Sequence, residues 1–338
     1  MKDVASKLSN IPVSILIAAK NEVHNLQKVL PYILNQEYPT FEVIVIDDAS
    51  TDTTVEVIKA FQQEHKHLRL VSIDKTSTYE GNKKNAISNG IKVASYKHVL
   101  CTDADCQPKS KQWVSEIVSQ LTETKKIVLG YGAYEKIDNS VLNKLIRYET
   151  ALTAIQYFSY AEMGLPYMGV GRNLAYRKEL FTENKGFKNH LHIKSGDDDL
   201  LISEIATSKN VSICFHKSSH TVSIAKKSYL SWFAQKRRHI STATNYQPIH
   251  QFLLGLFFSS QFLFWILAII LVALAFKLQI VTILIVVRLT VKYVTIQSST
   301  QKLDEKDIAV FAPILDFLLV FTQLGLFFAN LFSKPKHW

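Results

Sequence analysis

Short apolar runs alternate with amphipathic segments through the first hundred residues, and this alternation most constrains the fold. The apolar runs are typical of buried strands, and the segments between them repeat apolar residues at helical spacing. The expected strands cover residues 13–19, 41–48, 68–73 and 97–102, and the expected helices cover residues 22–35, 53–65 and 83–94. Strands that alternate with helices favour a parallel sheet with right-handed crossovers. The sequence therefore predicts an α/β fold with a Rossmann-like, mostly parallel sheet.

The periodicity weakens in the second hundred residues, but separate elements are still expected there. In chain order they are a helix over 113–121, a strand over 126–134, an amphipathic helix over 143–160, a loop over 164–171, a helix from about 198 and a strand over 211–215. We find no internal repeat and no low-complexity linker. The first 245 residues are therefore predicted to form one domain.

Carboxylates follow two of the predicted strands. Asp48 ends the second strand, and Asp103 and Asp105 follow the fourth at positions i and i+2. The carboxyl ends of parallel strands meet at one edge of a sheet, which is where ligands bind in open α/β folds. Two hard oxygen donors at that edge suit Mg²⁺ or Mn²⁺. The alternatives are a solvated acidic turn for the pair and a helix cap for Asp48.

Two further loops have the composition of nucleotide-binding segments. After the first strand, the small residue Ala18 lets a planar base approach the backbone, and Asn21 and Glu22 can fix its polar edges. Before the third helix, the run Gly81-Asn82-Lys83-Lys84 combines flexible backbone with two cations, which suits phosphate. The spacing of a Walker loop is missing from this run.

A second acidic cluster and a basic run complete the set of candidate residues. Asp197 and Asp198 belong to three consecutive acids, of which one can remove a hydroxyl proton from a sugar acceptor. Helix capping is the alternative for this cluster. Gln235, Arg238 and His239 belong to a basic run that either neutralises a leaving diphosphate or flanks a membrane segment.

The chain changes character near residue 250, where a region of long apolar stretches begins. We predict a membrane region over 246–338, with apolar segments at 252–276, 280–296 and 308–332. The first and third are long enough for a hydrocarbon core of ~30 Å, which needs about 20 residues. The middle one carries Arg288 and Lys292 on one helix face, so it either spans with those charges towards a partner or lies at the interface. Asp316 in the third marks either a functional position or a wet interfacial one.

The charge balance and the cysteines bear on location and partners. Lysine and arginine exceed aspartate and glutamate by 39 − 29 = 10, without a long basic tract. Nucleotide diphosphates and an anionic membrane leaflet account for this excess, so no nucleic-acid partner is expected. The three cysteines have no metal-binding spacing, and no signal peptide is recognised. We therefore expect the catalytic part on the cytoplasmic side.

The chain's last residues favour fewer than three full membrane crossings. Lys334, Lys336 and Trp338 have the composition of an interfacial anchor. With a cytosolic catalytic part, three full spans would place these lysines on the far side of the membrane, against the tendency of positive charge to stay inside. We therefore expect that not every apolar segment crosses.

The motifs, taken in order, resemble family 2 glycosyltransferases of the GT-A fold, in the membrane-bound branch. The resemblance covers about residues 11–240 and rests on the runs AAKNE, DDASTD, GNKKNA, TDADC, GRNLAYR, SGDDD and QKRRH. It implies inverting transfer from a nucleotide-diphosphate sugar, with Asp48 on the nucleotide, Asp103 and Asp105 on metal and diphosphate, and Asp198 as general base. Asp197 is shorter than the family's usual glutamate. His239 replaces the tryptophan of the QxxRW motif, which disfavours a polymer-channel enzyme.

The expected function is therefore glycosyl transfer to a membrane-associated acceptor, either lipid-linked or a glycan, in the synthesis of a cell-envelope polysaccharide or glycolipid. The expected partners are a nucleotide-diphosphate sugar, that acceptor and membrane lipids. A sugar-1-phosphate nucleotidyltransferase is the first alternative, although it needs a glycine-rich, arginine-containing loop where this chain has Ala18-Ala19-Lys20-Asn21-Glu22. A non-catalytic, membrane-anchored nucleotide-sugar-binding protein is the second.

Overall fold

The computed structural model describes residues 11–74, 82–193 and 195–333. Its contacts divide the chain into two compact units. The first combines the chain up to Glu135 with Tyr157–Ile224, and the second combines Lys136–Gln156 with the chain after Ile224. This division differs from the single boundary after residue 245 that the sequence predicts. The reason is that residues 136–156 and 225–245 pack with the apolar tail.

Strands and helices alternate through most of the first unit, whereas the second unit is helical. Up to residue 135 the elements are β1 (Val13–Ala19), α1 (Val23–Leu34), β2 (Phe41–Asp47), α2 (Thr54–Glu64), β3 (Leu68–Ser72), α3 (Lys83–Val93), β4 (His98–Asp103), β5 (Gln107–Pro108), α4 (Trp113–Val118), β6 (Ile127–Gly130) and β7 (Gly132–Tyr134). After it they are α5 (Val141–Glu162), β8 (Leu174–Arg177), α6 (Lys178–Glu183), α7 (Asp199–Ile205), β9 (Val211–Cys214), β10 (Thr221–Ser223), α8 (Tyr229–Ile240), α9 (Pro248–Ala273), α10 (Leu278–Lys302), α11 (Lys306–Ala309) and α12 (Ala312–Phe332).

The first unit is built on a seven-stranded sheet with the order β3-β2-β1-β4-β8-β6-β9. The strands β3, β2, β1 and β4 are parallel, whereas β8 is antiparallel to both of its neighbours. The register pairs Ala18 with Asp103 and Ala19 with Asp47. The carboxyl ends of β1, β2 and β4 therefore meet at one edge, as the alternating pattern predicts. The α/β fold class is confirmed.

Helix α1 shows why these segments fold as they do. Its apolar residues recur three and four positions apart, and Leu26, Val29, Leu30 and Ile33 are all buried in the core. The strands β1 and β2 are apolar on both faces, as expected of a sheet with helices on each side. The same residues thus form the element and the core, which makes the sheet a rigid base for the loops at its edge.

Several elements of the first unit differ from the expectation. The strand expected over 126–134 is broken at Tyr131 into β6 and β7, and β7 joins a separate three-stranded sheet with the order β5-β10-β7. The strands β8 and β10 and the helix α6 are not anticipated, because runs of three to six residues are too short to show a period. The expected loop over 164–171 lacks helix and strand in the structure.

Among the residues that the structure describes, the second unit has three helices that are long and apolar enough to cross a membrane. They are α9, α10 and α12, and they match the three predicted apolar segments in order. Helix α10 runs well beyond the predicted 280–296 and has 25 residues, so its length also permits crossing. The expected anchor at Lys334, Lys336 and Trp338 lies outside the described residues, as does Gly81.

Candidate active site

The loops after β1 and β2 are joined by short polar contacts. Asn21 has left-handed backbone, with φ at 56°, and its N–H donates to Ser50 Oγ at 2.9 Å. The N–H of Thr51 donates in return to Asn21 Oδ1 at 2.8 Å. The backbone N–H of Glu22 donates to Thr54 Oγ1 at 2.9 Å. Asn21 and Glu22 therefore help to fix the loop between β1 and α1 against the loop between β2 and α2.

Asp48 and Ala18 lie at the same sheet edge as these loops. Asp48 is buried, and its backbone N–H donates to Ala19 O at 2.8 Å. A different residue, Asp52, accepts from the Thr54 N–H at 3.1 Å at the start of α2. Asp52 therefore performs a capping role of the kind that the sequence left open for Asp48.

The acidic pair after β4 forms the potential metal site within the described part of the chain. One ligand atom each from Asp103, Asp105 and Cys106 lies within 4.8 Å of the others. Cys106 is buried and its thiol donates to Asp105 Oδ1 at 3.4 Å. Burial, followed by the charges of Asp105 and Asp103, raises the pKa of this thiol well above its ordinary value. The thiol therefore stays protonated, and the two carboxylates are the groups that fit a divalent cation.

Asp105 has the electrostatics of a cation site. Burial, and then the neighbouring charge of Asp103, raise the pKa of the Asp105 carboxyl. The pKa of Glu22 is raised in the same way, with burial as the largest cause and both acids adding to it. A hard divalent cation would offset this accumulated negative charge, and carboxylate oxygens are the ligands that Mg²⁺ and Mn²⁺ prefer.

Lys83 connects the two acidic clusters. Its Nζ lies 2.7 Å from Asp103 Oδ1 and 2.9 Å from Asp197 Oδ2. Burial of the ammonium opposes its charge, but Asp103 and Asp197 outweigh burial and hold the pKa of Lys83 well above its ordinary value. Acids from two distant parts of the chain thereby share one cation. The structure brings together the acids that the sequence predicted as one site.

Asp198 lies against the turn before β8. Its Oδ2 accepts from the Gly171 N–H at 2.6 Å, and its Oδ1 accepts from the Asp199 N–H at 2.8 Å. A Cβ atom at Gly171 would stand 3.3 Å from Asp198 Oδ2, so the close approach favours glycine. Burial, followed by the charges of Asp197 and Asp199, raises the pKa of Asp198 to about 7. The carboxylate also caps α7, so the capping alternative describes part of its role.

A buried lysine anchors the segment that leads to these acids. The side chain of Lys84 is fully buried, and its Nζ donates to His190 O at 2.7 Å and to Ile193 O at 2.8 Å. Burial lowers its pKa to about 8. Gly196 follows with φ at +90°, where a Cβ atom would stand 2.5 Å from Leu200 Cδ1. Lys84 and Gly196 thus fix the approach to Asp197 and Asp198.

Arg172 belongs to this site although the candidate residues from the sequence omit it. Its guanidinium donates to Ala133 O at 3.1 Å and to Ser223 Oγ at 3.2 Å, and it stacks over the Tyr134 ring with 4.4 Å to the centroid. Its positive charge lowers the pKa of Asp105, against the larger effect of burial. The sequence signal that could have identified Arg172 is its position after the glycine in the run GRNLAYR. Hydrophobic periodicity does not reveal such a position.

A cavity of about 220 Å³ adjoins Asp105. It lies between α1, which contributes Asn25 and Lys28, and the three-stranded sheet, which contributes Gln107 and Ser223. The lining combines apolar side chains, among them Val29 and Val222, with charged groups of both signs. A space of this volume beside the acidic edge has room for a group of monosaccharide size.

The basic run lies on α8 in the second unit. Arg237 donates from Nε to Asn330 Oδ1 at 2.9 Å and from a terminal nitrogen to Ala329 O at 2.8 Å, so it caps the carboxyl end of α12. Gln235, Arg238 and His239 occupy the same helix. Their role towards acceptor or diphosphate stays a prediction.

The mostly parallel sheet, whose carboxyl edge brings two acidic clusters to one lysine, has the arrangement expected of a GT-A-type glycosyltransferase. The family model for glycosyl transferase family 2 matches residues 14–184. This chain belongs to glycosyl transferase family 2.

Individual relatives cover different parts of the chain. A poly-beta-1,6-N-acetyl-D-glucosamine synthase of Staphylococcus epidermidis is 40% identical over 93 residues, which are 28% of this chain and 21% of that protein. Glycosyltransferase AglE of Haloferax volcanii is 30% identical over 199 residues, 56% of this chain and 60% of AglE. The matches thus span about a fifth and about three fifths of these relatives.

A solved structure matches most of the chain. The mannosyltransferase PcManGT from Pyrobaculum calidifontis, in complex with GDP-Man and Mn²⁺, superposes with a TM-score of 0.57 at 19% identity. The match covers 93% of this chain and 90% of that one. At this identity the likeness establishes the fold, and it agrees with the sheet described above.

Proposed function

We propose that this chain transfers a sugar from a nucleotide-diphosphate sugar to a membrane-associated acceptor, in a single displacement that inverts the anomeric configuration. The observation that carries the proposal is the contact of Lys83 with both Asp103 and Asp197. This contact supports a single centre in which donor-binding acids and a proton-accepting acid act on one sugar. The family membership supports the reaction class.

The donor binds along the carboxyl edge of the sheet. Ala18, Asn21 and Glu22 form the first side of the nucleotide site, and Asp48 accepts hydrogen bonds from the base or the ribose. Asp103 lies towards the ribose, and Lys83 carries the positive charge that stabilises the diphosphate. The relatives' names mention N-acetylglucosamine and mannose chemistry, which supports transfer of a hexosyl or N-acetylhexosaminyl group.

Asp105, with Asp103, would hold Mg²⁺ or Mn²⁺. The two carboxylates fit such an ion because their oxygens lie close together and because the charge of Asp103 adds to the burial that raises the pKa of Asp105. The ion, when bound, supplies Lewis-acid stabilisation of the charge that develops on the leaving diphosphate. The Mn²⁺ in the complex of the structurally similar mannosyltransferase supports this expectation.

Asp198 acts as the general base. The acceptor oxygen forms a bond to the anomeric carbon as the bond from that carbon to the diphosphate oxygen breaks, and the hydroxyl proton passes to Asp198. A base whose pKa lies near the working pH combines a useful charged fraction with a strong drive to accept the proton. Asp197, with Gln235, Arg238 and His239, is proposed to orient the acceptor or the leaving diphosphate.

The acceptor is proposed to be lipid-linked or a membrane-held glycan, with the catalytic unit on the cytoplasmic side. Three helices that can cross a membrane support a membrane-bound enzyme. A membrane-held enzyme meets such an acceptor within two dimensions, which favours encounter.

The test is a donor screen on the full-length protein in detergent with Mn²⁺. A bound donor raises the unfolding temperature, since ligand binding adds RT ln(1 + [L]/Kd) to stability. We expect one class among UDP-, GDP- and dTDP-sugars to stand out and to release nucleoside diphosphate. Release of pyrophosphate from sugar-1-phosphate and a nucleoside triphosphate would instead identify a nucleotidyltransferase. A protein that binds a donor without any turnover on membrane extracts would contradict the catalytic proposal.

A further inference from the structure

The three apolar helices share a cluster of polar side chains, which we name the intramembrane cluster. Its members are Gln261 and Trp265 on α9, Arg288 and Lys292 on α10, and Asp316 on α12. Asp316 and Gln261 are both buried inside this unit. None of these residues has a role in the transfer reaction proposed above.

Hydrogen bonds connect every member of the intramembrane cluster. Lys292 forms an ion pair with Asp316, whose other oxygen accepts from Trp265 Nε1 at 3.2 Å. Gln261 Oε1 accepts from Lys292 Nζ at 2.7 Å and from Arg288 at 2.9 Å. The cluster is therefore a continuous network across three helices rather than isolated polar positions.

The charges of this network do not balance. Lys292 and Asp316 neutralise each other, and Arg288 adds one positive charge. Across residues 11–74, 82–193 and 195–333, no carboxylate lies within 4.0 Å of the Arg288 guanidinium. Its contacts are the amide of Gln261 and the face of the Phe264 ring, 4.3 Å from the centroid. An ionised group inside a membrane is costly unless an opposite charge accompanies it.

The surroundings of Arg288 are apolar and open. Leu284 and Val291 lie four before and three after it, on the same face of α10, and they are 63% and 62% exposed. Arg288 itself is half-buried. In a bilayer this exposed face is open to the lipid phase, which carries anionic phosphate groups.

We propose that Arg288 binds the phosphate group of a membrane lipid, with the lipid's hydrocarbon against Leu284 and Val291. A guanidinium has five N–H donors in a fork that matches phosphate oxygens, and its bond to Gln261 leaves donors for this purpose. Local bilayer thinning and the length of the arginine side chain allow a phosphate to reach such a cation. If this chain transfers a sugar to a membrane-associated acceptor, as proposed above, a lipid bound at Arg288 is that acceptor or its carrier. The inference rests on the proposed function in this one respect.

The test measures binding of farnesyl phosphate to the full-length protein in detergent by native mass spectrometry. Arg288→Gln removes the charge and keeps an amide. Lys277→Asn removes a cation from the α9–α10 turn, where the left-handed backbone tolerates asparagine. We expect Arg288→Gln to weaken farnesyl phosphate binding about tenfold or more, as for loss of one charge-assisted contact. Lys277→Asn should not change the binding of farnesyl phosphate. Neither substitution should change the binding of farnesol.

Three results would overturn the lipid-phosphate site. They are unchanged binding to Arg288→Gln, farnesol binding as tight as farnesyl phosphate binding, and competition by inorganic phosphate at the same concentration, which would indicate a soluble-anion site. If Arg288→Gln fails to fold, Arg288→Lys is measured instead. It keeps the charge and should retain part of the affinity for farnesyl phosphate. Donor binding is measured separately by thermal shift. Failure of donor binding with intact lipid binding would contradict the proposed function and leave this site standing.

Discussion

The Lys83 ammonium lies 2.7 Å from the Asp103 carboxylate, and this contact joins the start of α3 to the end of β4 at the sheet edge. Without a donor, the two side chains neutralise each other and keep the acidic edge compact. In the proposed function, the same ammonium contributes positive charge at the diphosphate of the donor. On this proposal, Lys83 contributes both to the charge balance of the acidic edge and to the affinity for the donor.

The first prediction concerns that cation. Lys83→Met should weaken binding of the nucleotide-diphosphate donor by about tenfold or more, since a charge-assisted contact contributes about 1.5–3 kcal/mol. Isothermal titration with the donor found in the screen measures the change. Lys92→Met is the matched control, because Lys92 is exposed near the other end of α3. Equal donor affinity for the two variants would remove Lys83 from the diphosphate site.

The second prediction concerns metal. Asp105→Asn should abolish the dependence of donor binding on Mn²⁺, because it removes a carboxylate from the pair that fits the ion. In the unaltered protein, EDTA should lower donor affinity and added Mn²⁺ should restore it. Asp138→Asn serves as the control, since Asp138 is an exposed acid outside the site. A titration of Asp105→Asn with unchanged Mn²⁺ dependence would contradict the assignment.

Much of this site could be predicted from the sequence because its acids end apolar strands. Periodicity located β2 and β4, and parallel pairing then placed Asp48 and Asp103 at one edge. Arg172 was missed, since it follows a loop and its neighbours Ala133 and Ser223 come from distant strands. Such contacts join residues that are far apart in the chain, so no periodic pattern in the sequence reveals them.

The breaks in the fold escaped prediction for a related reason. The run over 126–134 has a glycine on each side of Tyr131, where the chain changes sheets, but a glycine pair by itself does not distinguish a bend from a continuous strand. At this point the side chain of Asn173 donates to Tyr131 O at 3.0 Å and to Ser219 O at 2.7 Å, and a Cβ atom at Gly130 would stand 2.5 Å from Asn173 Cγ. Lys84 likewise has the pattern of a solvated lysine at a helix start, but the structure buries it. Buried polar partners decide both cases, and a sequence does not show which partners meet.

The third prediction concerns the general base. Asp198→Asn should lower turnover by about 10²–10⁴-fold, the usual range for loss of a general base, and leave donor binding unchanged. The pKa of Asp198 at about 7 means that the charged, proton-accepting form declines as pH falls through 7. Turnover of the unaltered protein should therefore decrease below about pH 7. Near-normal turnover in Asp198→Asn would exclude this role.

The same carboxyl group links pH to stability. Its folded-state pKa is above the ordinary value near 3.9, so the folded protein binds more protons than the unfolded chain between about pH 4 and 7. Its contribution to stability is therefore lost as pH rises through that range. The unfolding temperature of Asp198→Asn should therefore fall less than that of the unaltered protein between about pH 4 and 7, and thermal unfolding followed by circular dichroism measures this difference.

The fourth prediction identifies Lys84 as a positioning residue. Lys84→Met keeps the aliphatic stem but leaves the carbonyls of His190 and Ile193 without their donor, at a cost of about 1–3 kcal/mol for each group left unsatisfied. The segment before Asp197 should loosen, so kcat should fall while the donor KM changes little. Ser88→Ala is the control, because it removes only a hydrogen bond to Lys84 O within α3. A donor KM that changes as much as kcat would assign Lys84 to donor binding instead.

The last prediction tests the second unit on its own. Arg147 and Glu305 are both almost fully buried and form an ion pair, which ties the start of α5 to the turn between α10 and α11. Removal of one partner leaves the other as a buried, uncompensated charge, so Arg147→Met should destabilise the protein by about 3–5 kcal/mol. The double variant Arg147→Met with Glu305→Gln removes both charges and should regain part of that loss. Lys136 contacts only the exposed Asp307 in this network, so Lys136→Met should change stability by less than about 1 kcal/mol. Arg147 also pairs with Asp307 at 2.6 Å, so if the double variant is no more stable than Arg147→Met alone, the loss comes from packing of the arginine side chain or from this second pair and not from the buried charge of Glu305.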